Sequence, residues 1–224
     1  MSVENKRDKM MWQNNSAARI VASVFGVLAG LGGLTHGIGE VLQGNVAPAG
    51  IFIPSWTQGP IATNLGGDPG LTIVPNLLGT GILTIIVSLI IIIWATAFIT
   101  RKNGGWILIL LSVILLLVGG GVAPPIVGVL AGVAGLGINA KLSWWRNHLP
   151  VTLRRFLATL WPWIFGISVI TGVFLVIGSY ILVYFFNVNN PNLFTYVFLL
   201  SVLLLLLAIL TGRAYDIQKQ AQSD

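Results

Sequence analysis

Cysteine is absent from the 224-residue sequence, and charged residues are scarce. Without cysteine the chain cannot form disulfides, provide a thiolate nucleophile or bind a metal through sulfur. Only 8% of the residues are charged, whereas soluble domains carry roughly 25%. Because so few charges cannot cover a water-facing surface, and 55% of the residues are hydrophobic, the composition predicts a protein that folds largely in lipid.

Enzymatic motifs are also missing. The sequence contains no HExxH, no GxSxG, no nucleotide-binding loop and no close pair of carboxylates, the patterns that carry hydrolytic or nucleotide chemistry. A zinc site needs three or four ligands, and we expect the two histidines, His36 and His148, on opposite sides of the membrane. We therefore expect no metal, no cofactor and no enzymatic activity.

Long apolar runs are what the sequence has in abundance. A helix needs about 20 apolar residues to cross roughly 30 Å of hydrocarbon, and four runs meet that length: 20–42, 74–99, 159–186 and 193–212. A fifth stretch, 105–140, is too long for one comfortable span and is interrupted by GGGVAPP at 119–125. Glycine and proline both weaken a helix, so this stretch is either one kinked helix or two short helices.

The basic residues decide between these alternatives. All twelve fall into four groups beside apolar runs: Lys6, Arg7, Lys9 and Arg19; Arg101 and Lys102; Lys141, Arg146, Arg154 and Arg155; Arg213 and Lys219. A net charge of +6 can indicate nucleic-acid binding, but this placement indicates membrane topology, and we expect no nucleic-acid partner. Short cytoplasmic loops carry the positive excess, and two segments within 105–140 put every basic residue on the cytoplasmic side.

We therefore predict an all-α, polytopic transmembrane helical bundle of about six segments, with the N-terminus and the C-terminus both cytoplasmic. Segments three and four, 105–121 and 125–140, form a short hairpin joined by Gly and Pro, which either spans fully or is re-entrant. The run 20–42 is longer than a signal-peptide core of roughly 7–15 residues, so we expect it to be retained. The chain is one integral membrane domain, 1–224. It has an N-terminal tail (1–16), a long external loop (43–73), a basic-aromatic cytoplasmic connector (141–158) and a C-terminal tail (213–224).

Two of these connecting regions invite functional interpretations. The external loop is either a lid over an outward-facing cavity or a plain connector. In the cytoplasmic connector, Arg146, Arg154 and Arg155 are predicted to contact lipid headgroups, because basic side chains near an anionic leaflet each contribute roughly 1 kcal/mol of binding.

Small residues mark the expected helix contacts. They recur on one face of the first segment and on one face of the fourth: Gly26, Gly30, Gly33 and Gly37; Gly128 and Gly132. Such faces let helix backbones approach closely, so we predict packing inside the chain or a homodimer contact. Leu28, away from the glycine face, is predicted to face lipid.

His36, Glu40 and Gln43 lie at i, i+4 and i+7 near the outer end of the first segment, and therefore on one helical face. Ionisable residues within a span usually mark function. Three interpretations stay open: a structural hydrogen-bonded pair, a ligand, ion or proton site, and ordinary interfacial exposure.

The sequence favours a non-enzymatic accessory, assembly or lipid-interacting membrane protein. The alternative is a small transporter or channel with a polar site near His36 and Glu40 and the 119–125 turn. Expected partners are membrane lipid and a second membrane protein or another copy of the chain. The expected location is a prokaryotic plasma membrane.

Overall fold

The computed structural model describes residues 16–140, 146 and 148–221, and most of this chain is helical, so the all-α prediction is confirmed. The helices are α1 Ala17–Gln43, α2 Gly59–Asn64, α3 Leu77–Ile93, α4 Gly104–Leu117, α5 Ala123–Leu136, α6 Val151–Val173, α7 Ser179–Phe186 and α8 Pro191–Ala221. Two π-helical segments, Trp94–Phe98 and Phe174–Gly178, extend α3 and join α6 to α7. Strands β1, Phe52–Pro54, and β2, Pro69–Leu71, pair antiparallel.

Four helical stretches are long and apolar enough to cross a membrane, and they match the four long runs of the sequence: Ala17–Gln43, Leu77–Phe98, Val151–Phe186 and Pro191–Ala221. Their outer faces are apolar too, and on α3 exposed isoleucines recur one turn apart at Ile82, Ile86 and Ile90. A helix that is apolar on its exposed face belongs in lipid. These helices indicate a membrane protein.

The stretch 105–140 forms two helices rather than one kinked helix. α4 ends before a turn in which Gly119 and Gly121 take positive φ angles of 110° and 77°, a conformation that glycine adopts without steric cost. α5 then begins with Pro124 and Pro125 in its first turn, where a missing backbone donor costs little. Each helix has 14 residues and is therefore about 21 Å long.

The glycine faces lie at helix contacts within the chain. On α1, a Cβ added at Gly30 would lie 2.5 Å from the side chain of Ile92 on α3. On α5, a Cβ added at Gly132 would lie 2.5 Å from the side chain of Ile109 on α4. The remaining predicted glycines also lie at contacts within the chain. Gly33 and Gly37 pack on α3, Gly26 packs on Ala95 of the π-helical segment that extends α3, and Gly128 packs on Ser112 of α4.

The expectation that Leu28 faces lipid is wrong. Leu28 is only 7% exposed, and a Cβ added at Gly172 of α6 would lie 2.9 Å from it. α1 is the central helix and contacts α3, α5, α6 and α8, so its sides away from the glycines are covered as well. Leu31, at 36% exposure, is a position of α1 that does face outward.

The first and last described helices meet at one end of the bundle. Asp216 of α8 is 2% exposed and accepts hydrogen bonds from the backbone amides of Ala17, at 2.7 Å, and Ala18, at 3.1 Å. The predicted last segment stops at residue 212, whereas α8 continues to Ala221. The additional turns remain helical because they pack against the start of α1.

Candidate functional site

The predicted external loop, residues 43–73 (the outer loop), folds over the end of α1 at which the predicted polar face lies. Gln43 donates two hydrogen bonds to this loop, to the carbonyl oxygens of Pro54, at 3.0 Å, and Ser55, at 2.9 Å. Trp56 lies against Gly39, where an added Cβ would be 2.7 Å from the indole ring. Gln43 therefore fastens the loop to the helix.

The turn between α4 and α5 reaches the same place. Thr72 of the loop forms an isolated β-bridge with Val118, and the amide of Ile73 donates to the carbonyl of Leu117 at 3.0 Å. A Cβ at Gly119 would lie 2.6 Å from both carboxyl oxygens of Glu40, and one at Gly121 would overlap the ring of His36. The two glycines thus leave room for the polar side chains of α1.

Ser55 bridges His36 and Glu40. His36 Nδ1 lies 2.8 Å from Ser55 Oγ, and Ser55 Oγ lies 3.2 Å from Glu40 Oε1. Both ionisable side chains are buried, with His36 3% and Glu40 0% exposed. Within the described residues no hydrogen bond joins the two directly, so the serine of the outer loop connects them.

Hydroxyl groups surround the other side of Glu40. Thr84 Oγ1 lies 3.3 Å from Glu40 Oε2 and donates to the carbonyl of Val118 at 2.6 Å. Thr72 and Thr80 form a further hydroxyl pair at 3.0 Å. The sequence has no Lys or Arg between positions 19 and 101, so its local segment supplies no basic partner for this carboxyl group.

The second ring nitrogen of His36 faces an acid. His36 Nε2 lies 3.3 Å from Asp68 Oδ2, and the hydroxyl of Tyr180 donates to the same oxygen at 2.7 Å. Tyr180 also lies 3.0 Å from Thr35 Oγ1. The network therefore joins α1, the outer loop and α7. Sequence reasoning did not assign Ser55, Asp68 or Tyr180 to this site.

A cavity of about 450 Å³ opens beside this network, between α1, α5, α6, α7 and α8. Its polar lining is concentrated at the end next to the outer loop, in Thr35, His36, Asp68 and Tyr180, with Ser179, Thr195 and Ser201 along its side. The rest is mostly apolar and includes Phe25, Leu28, Val176 and Phe198. From Phe25 to His36 the cavity follows α1 for about 17 Å.

The predicted headgroup contacts lie away from this network. Arg146 is exposed and donates to Gln220 near the end of α8 at 3.4 Å. Arg155 is exposed and Arg154 is half-buried near the start of α6. Residues 141–145 and 147 of the predicted connector lie outside the described chain. The structure therefore separates the sequence-predicted residues into a polar network at one end of the bundle and basic residues at the other.

Neither a metal-binding cluster in the described residues nor a similar known protein indicates a function. Among the residues that the structure describes, no group of three or more His, Asp or Glu side chains is arranged to hold a metal ion. Compared with known protein families, curated proteins and solved structures, the chain matches none of them significantly. The function has to be inferred from the chemistry of the chain itself.

Proposed function

We propose that the protein is a non-enzymatic, multi-pass protein of a prokaryotic plasma membrane that binds an amphiphilic lipid in the cavity beside His36. The observation that carries this proposal is the distribution of polar and apolar residues in the cavity lining, with polar groups at its outer end and apolar side chains along the rest. A lipid has the same division between headgroup and chain.

Six membrane segments with cytoplasmic termini fit the placement of charge. The start of α1 lies at Asp216 of α8, and Arg213 contacts Gly137, at the end of α5. Arg213 lies at the same end of the bundle as Arg146. Because basic residues are enriched on the cytoplasmic side, we assign this end to the cytoplasm. α4 and α5 are shorter than the hydrocarbon core of roughly 30 Å, and the outer loop covers their turn.

The dimensions of the cavity favour one lipid chain. Its volume of about 450 Å³ lies within the range of roughly 300–1,000 Å³ that is usual for small-molecule sites. Its length of about 17 Å along α1 is slightly more than half the thickness of a hydrocarbon core of about 30 Å. A single acyl or isoprenoid chain of the outer leaflet therefore fits, with its headgroup at Asp68 and Tyr180.

The charge of this outer end favours a neutral or cationic headgroup. Asp68 lines the cavity, and neither Lys nor Arg is among the described residues that line it. Anionic phosphates are typically bound by arginine or lysine. A headgroup with hydroxyl or amine donors complements Asp68, Thr35 and Tyr180 better than an unscreened phosphate does.

The test is a comparison of co-purifying lipid between two tryptophan variants of one helix. Val176→Trp places a large side chain in the cavity, whereas Ile177→Trp adds the same group at a neighbouring position that is 49% exposed. We expect mass spectrometry to find a bound amphiphile in the wild type and in Ile177→Trp, and to find it lost in Val176→Trp. Equal lipid content in all three proteins would refute the proposal.

Transport is the second candidate, and the hydroxyl-lined carboxyl of Glu40 is the observation that favours it. Buried acids in membrane helices often take part in ion or proton pathways. Farther from Glu40 than Ser88 and Ser112, however, the described helices pack through apolar side chains such as Ile91 and Leu108. These apolar contacts separate the polar network from the far ends of α3 and α4, so lipid binding is the better-supported function. A proton flux in proteoliposomes that Glu40→Gln abolishes would reverse this order.

A further inference from the structure

Ser55 has one hydroxyl hydrogen and two neighbours that compete for it. Its Oγ lies 2.8 Å from His36 Nδ1 and 3.2 Å from Glu40 Oε1. A hydroxyl group donates one hydrogen bond and can accept others, so Ser55 cannot donate to both neighbours at once. The neighbour that does not receive this hydrogen must itself donate to Ser55, and it must therefore carry a proton.

Asp68 determines the state of the other ring nitrogen. Its Oδ2 lies 3.3 Å from His36 Nε2, and an ionised carboxylate only accepts hydrogen bonds. Beside an ionised Asp68, Nε2 carries the hydrogen that points to the carboxylate. Nδ1 is the ring nitrogen whose protonation is left to vary, and it is the one that faces Ser55.

When the Ser55 hydrogen points to one of these two neighbours, two arrangements of hydrogens satisfy all the contacts. In the first, Glu40 is a neutral acid that donates from Oε1 to Ser55, and Ser55 donates to Nδ1 of a neutral His36. In the second, Nδ1 of a cationic His36 donates to Ser55, and Ser55 donates to the carboxylate of Glu40. The change breaks the O–H bonds of Glu40 and Ser55 and forms a new O–H bond on Ser55 and an N–H bond on His36. The proton count and the total charge stay the same.

We propose that His36 and Glu40 share one transferable proton through the hydroxyl of Ser55, and that these three residues form a proton-exchange site between a buried acid and the cavity. All three side chains are almost completely buried, which shields the shared proton from exchange with bulk water. This site does not depend on which molecule occupies the cavity.

The surroundings contain few groups that compete for this proton. Within the described residues, the other titratable groups facing the site are Asp68 of the outer loop and Tyr180 of α7. α3 contributes the hydroxyls of Thr80 and Thr84. The α4–α5 turn contributes glycine backbone, and α8 contributes only uncharged side chains to the cavity lining.

The position of the proton changes the charge that the cavity presents. In the first arrangement the carboxylate of Asp68 stands beside a neutral His36. In the second, the imidazolium of His36 compensates that carboxylate, and the unbalanced negative charge moves to Glu40. The proton thus controls whether the outer end of the cavity is negative or neutral.

The scarcity of His and Glu allows a direct measurement. The sequence contains two histidines, His36 and His148, and two glutamates, Glu4 and Glu40, so selective labelling gives few signals. Nitrogen-15 NMR of His and carbon-13 NMR of Glu carboxyl groups are recorded on the protein in bilayers near neutral pH. His148→Asn and Glu4→Gln assign the signals.

We expect the fraction of His36 that is protonated at Nδ1 to equal the fraction of Glu40 that is ionised, at every temperature measured. Ser55→Thr keeps the hydroxyl and should preserve this equality, whereas Ser55→Ala should abolish it. A wild-type spectrum in which both groups are protonated, or neither is, would overturn the proposal, and so would an equality that persists in Ser55→Ala. The wild-type measurement decides the question even if the alanine variant does not fold.

Discussion

Replacing Asp216 should weaken the fold more than any change at an ordinary helix cap. Its carboxylate accepts hydrogen bonds from Ala17 N at 2.7 Å and Ala18 N at 3.1 Å. Hydrogen bonds to charged groups each contribute roughly 1.5–3 kcal/mol, and a negative charge at a helix N-terminus is favoured by the helix dipole. Asp216→Ala leaves two buried amides without their acceptor, so we expect a loss of about 3–5 kcal/mol in the free energy of unfolding.

Two further variants make this test specific. Asp216→Asn keeps one acceptor oxygen but loses the charge, and we expect roughly half of the alanine effect. Ser16→Ala removes the side chain that accepts from Arg19 N at 3.3 Å on the same helix end, and a lost N-cap costs about 1 kcal/mol. Unfolding in mixed micelles measures the free energies, and hydrogen exchange of the Ala17 amide reports the local contact. Unchanged protection of this amide in Asp216→Ala would refute the reasoning.

Three other predictions concern topology, packing and the polar network. Alkaline phosphatase fused after residue 60 should be active, and fusions after residues 103 and 147 should be silent; an active fusion at 147 would contradict the six-segment proposal. Gly30→Leu should destabilise the bundle by about 1–3 kcal/mol or more, because even a Cβ would lie 2.5 Å from Ile92. Leu31→Ala, at an exposed position of the same helix, should change the thermal midpoint little. In a double-mutant cycle of His36→Asn and Glu40→Gln, the two effects on stability should be non-additive, by roughly 0.5–3 kcal/mol for residues in one network; additive effects would show that Ser55 does not connect them.

The long helices could be predicted from the sequence because their cause is local. In hydrocarbon every backbone amide and carbonyl needs a partner, and a helix supplies these partners within a single segment. Apolar length alone therefore located α1, α3, the α6–α7 helix and α8. The turn after Leu117 was also predictable from residue type. Glycine adopts the positive φ angles found at Gly119 and Gly121 without steric cost, and proline is tolerated in the first turn of a helix such as α5.

The end of α8 shows where this local rule stops. Hydropathy falls after residue 212 because the following residues are polar, and a count of apolar residues ends the segment there. Asp216 is nevertheless buried, because the amides at the start of α1 satisfy its carboxylate. A hydropathy value depends only on the residue type and not on the groups that the residue contacts. A polar residue that is buried against a group far away in the sequence is therefore predicted to face solvent.

The candidate site likewise depends on contacts between residues that are far apart in the sequence. Helical spacing put His36, Glu40 and Gln43 on one face, and the sequence by itself determined that much. Tertiary structure alone decided that Ser55 stands between His36 and Glu40, that Asp68 and Tyr180 complete the network, and that a cavity opens beside it. These residues come from a loop and a helix far apart in the chain, and only the packing of that loop on α1 and α7 brings their polar atoms within hydrogen-bonding distance.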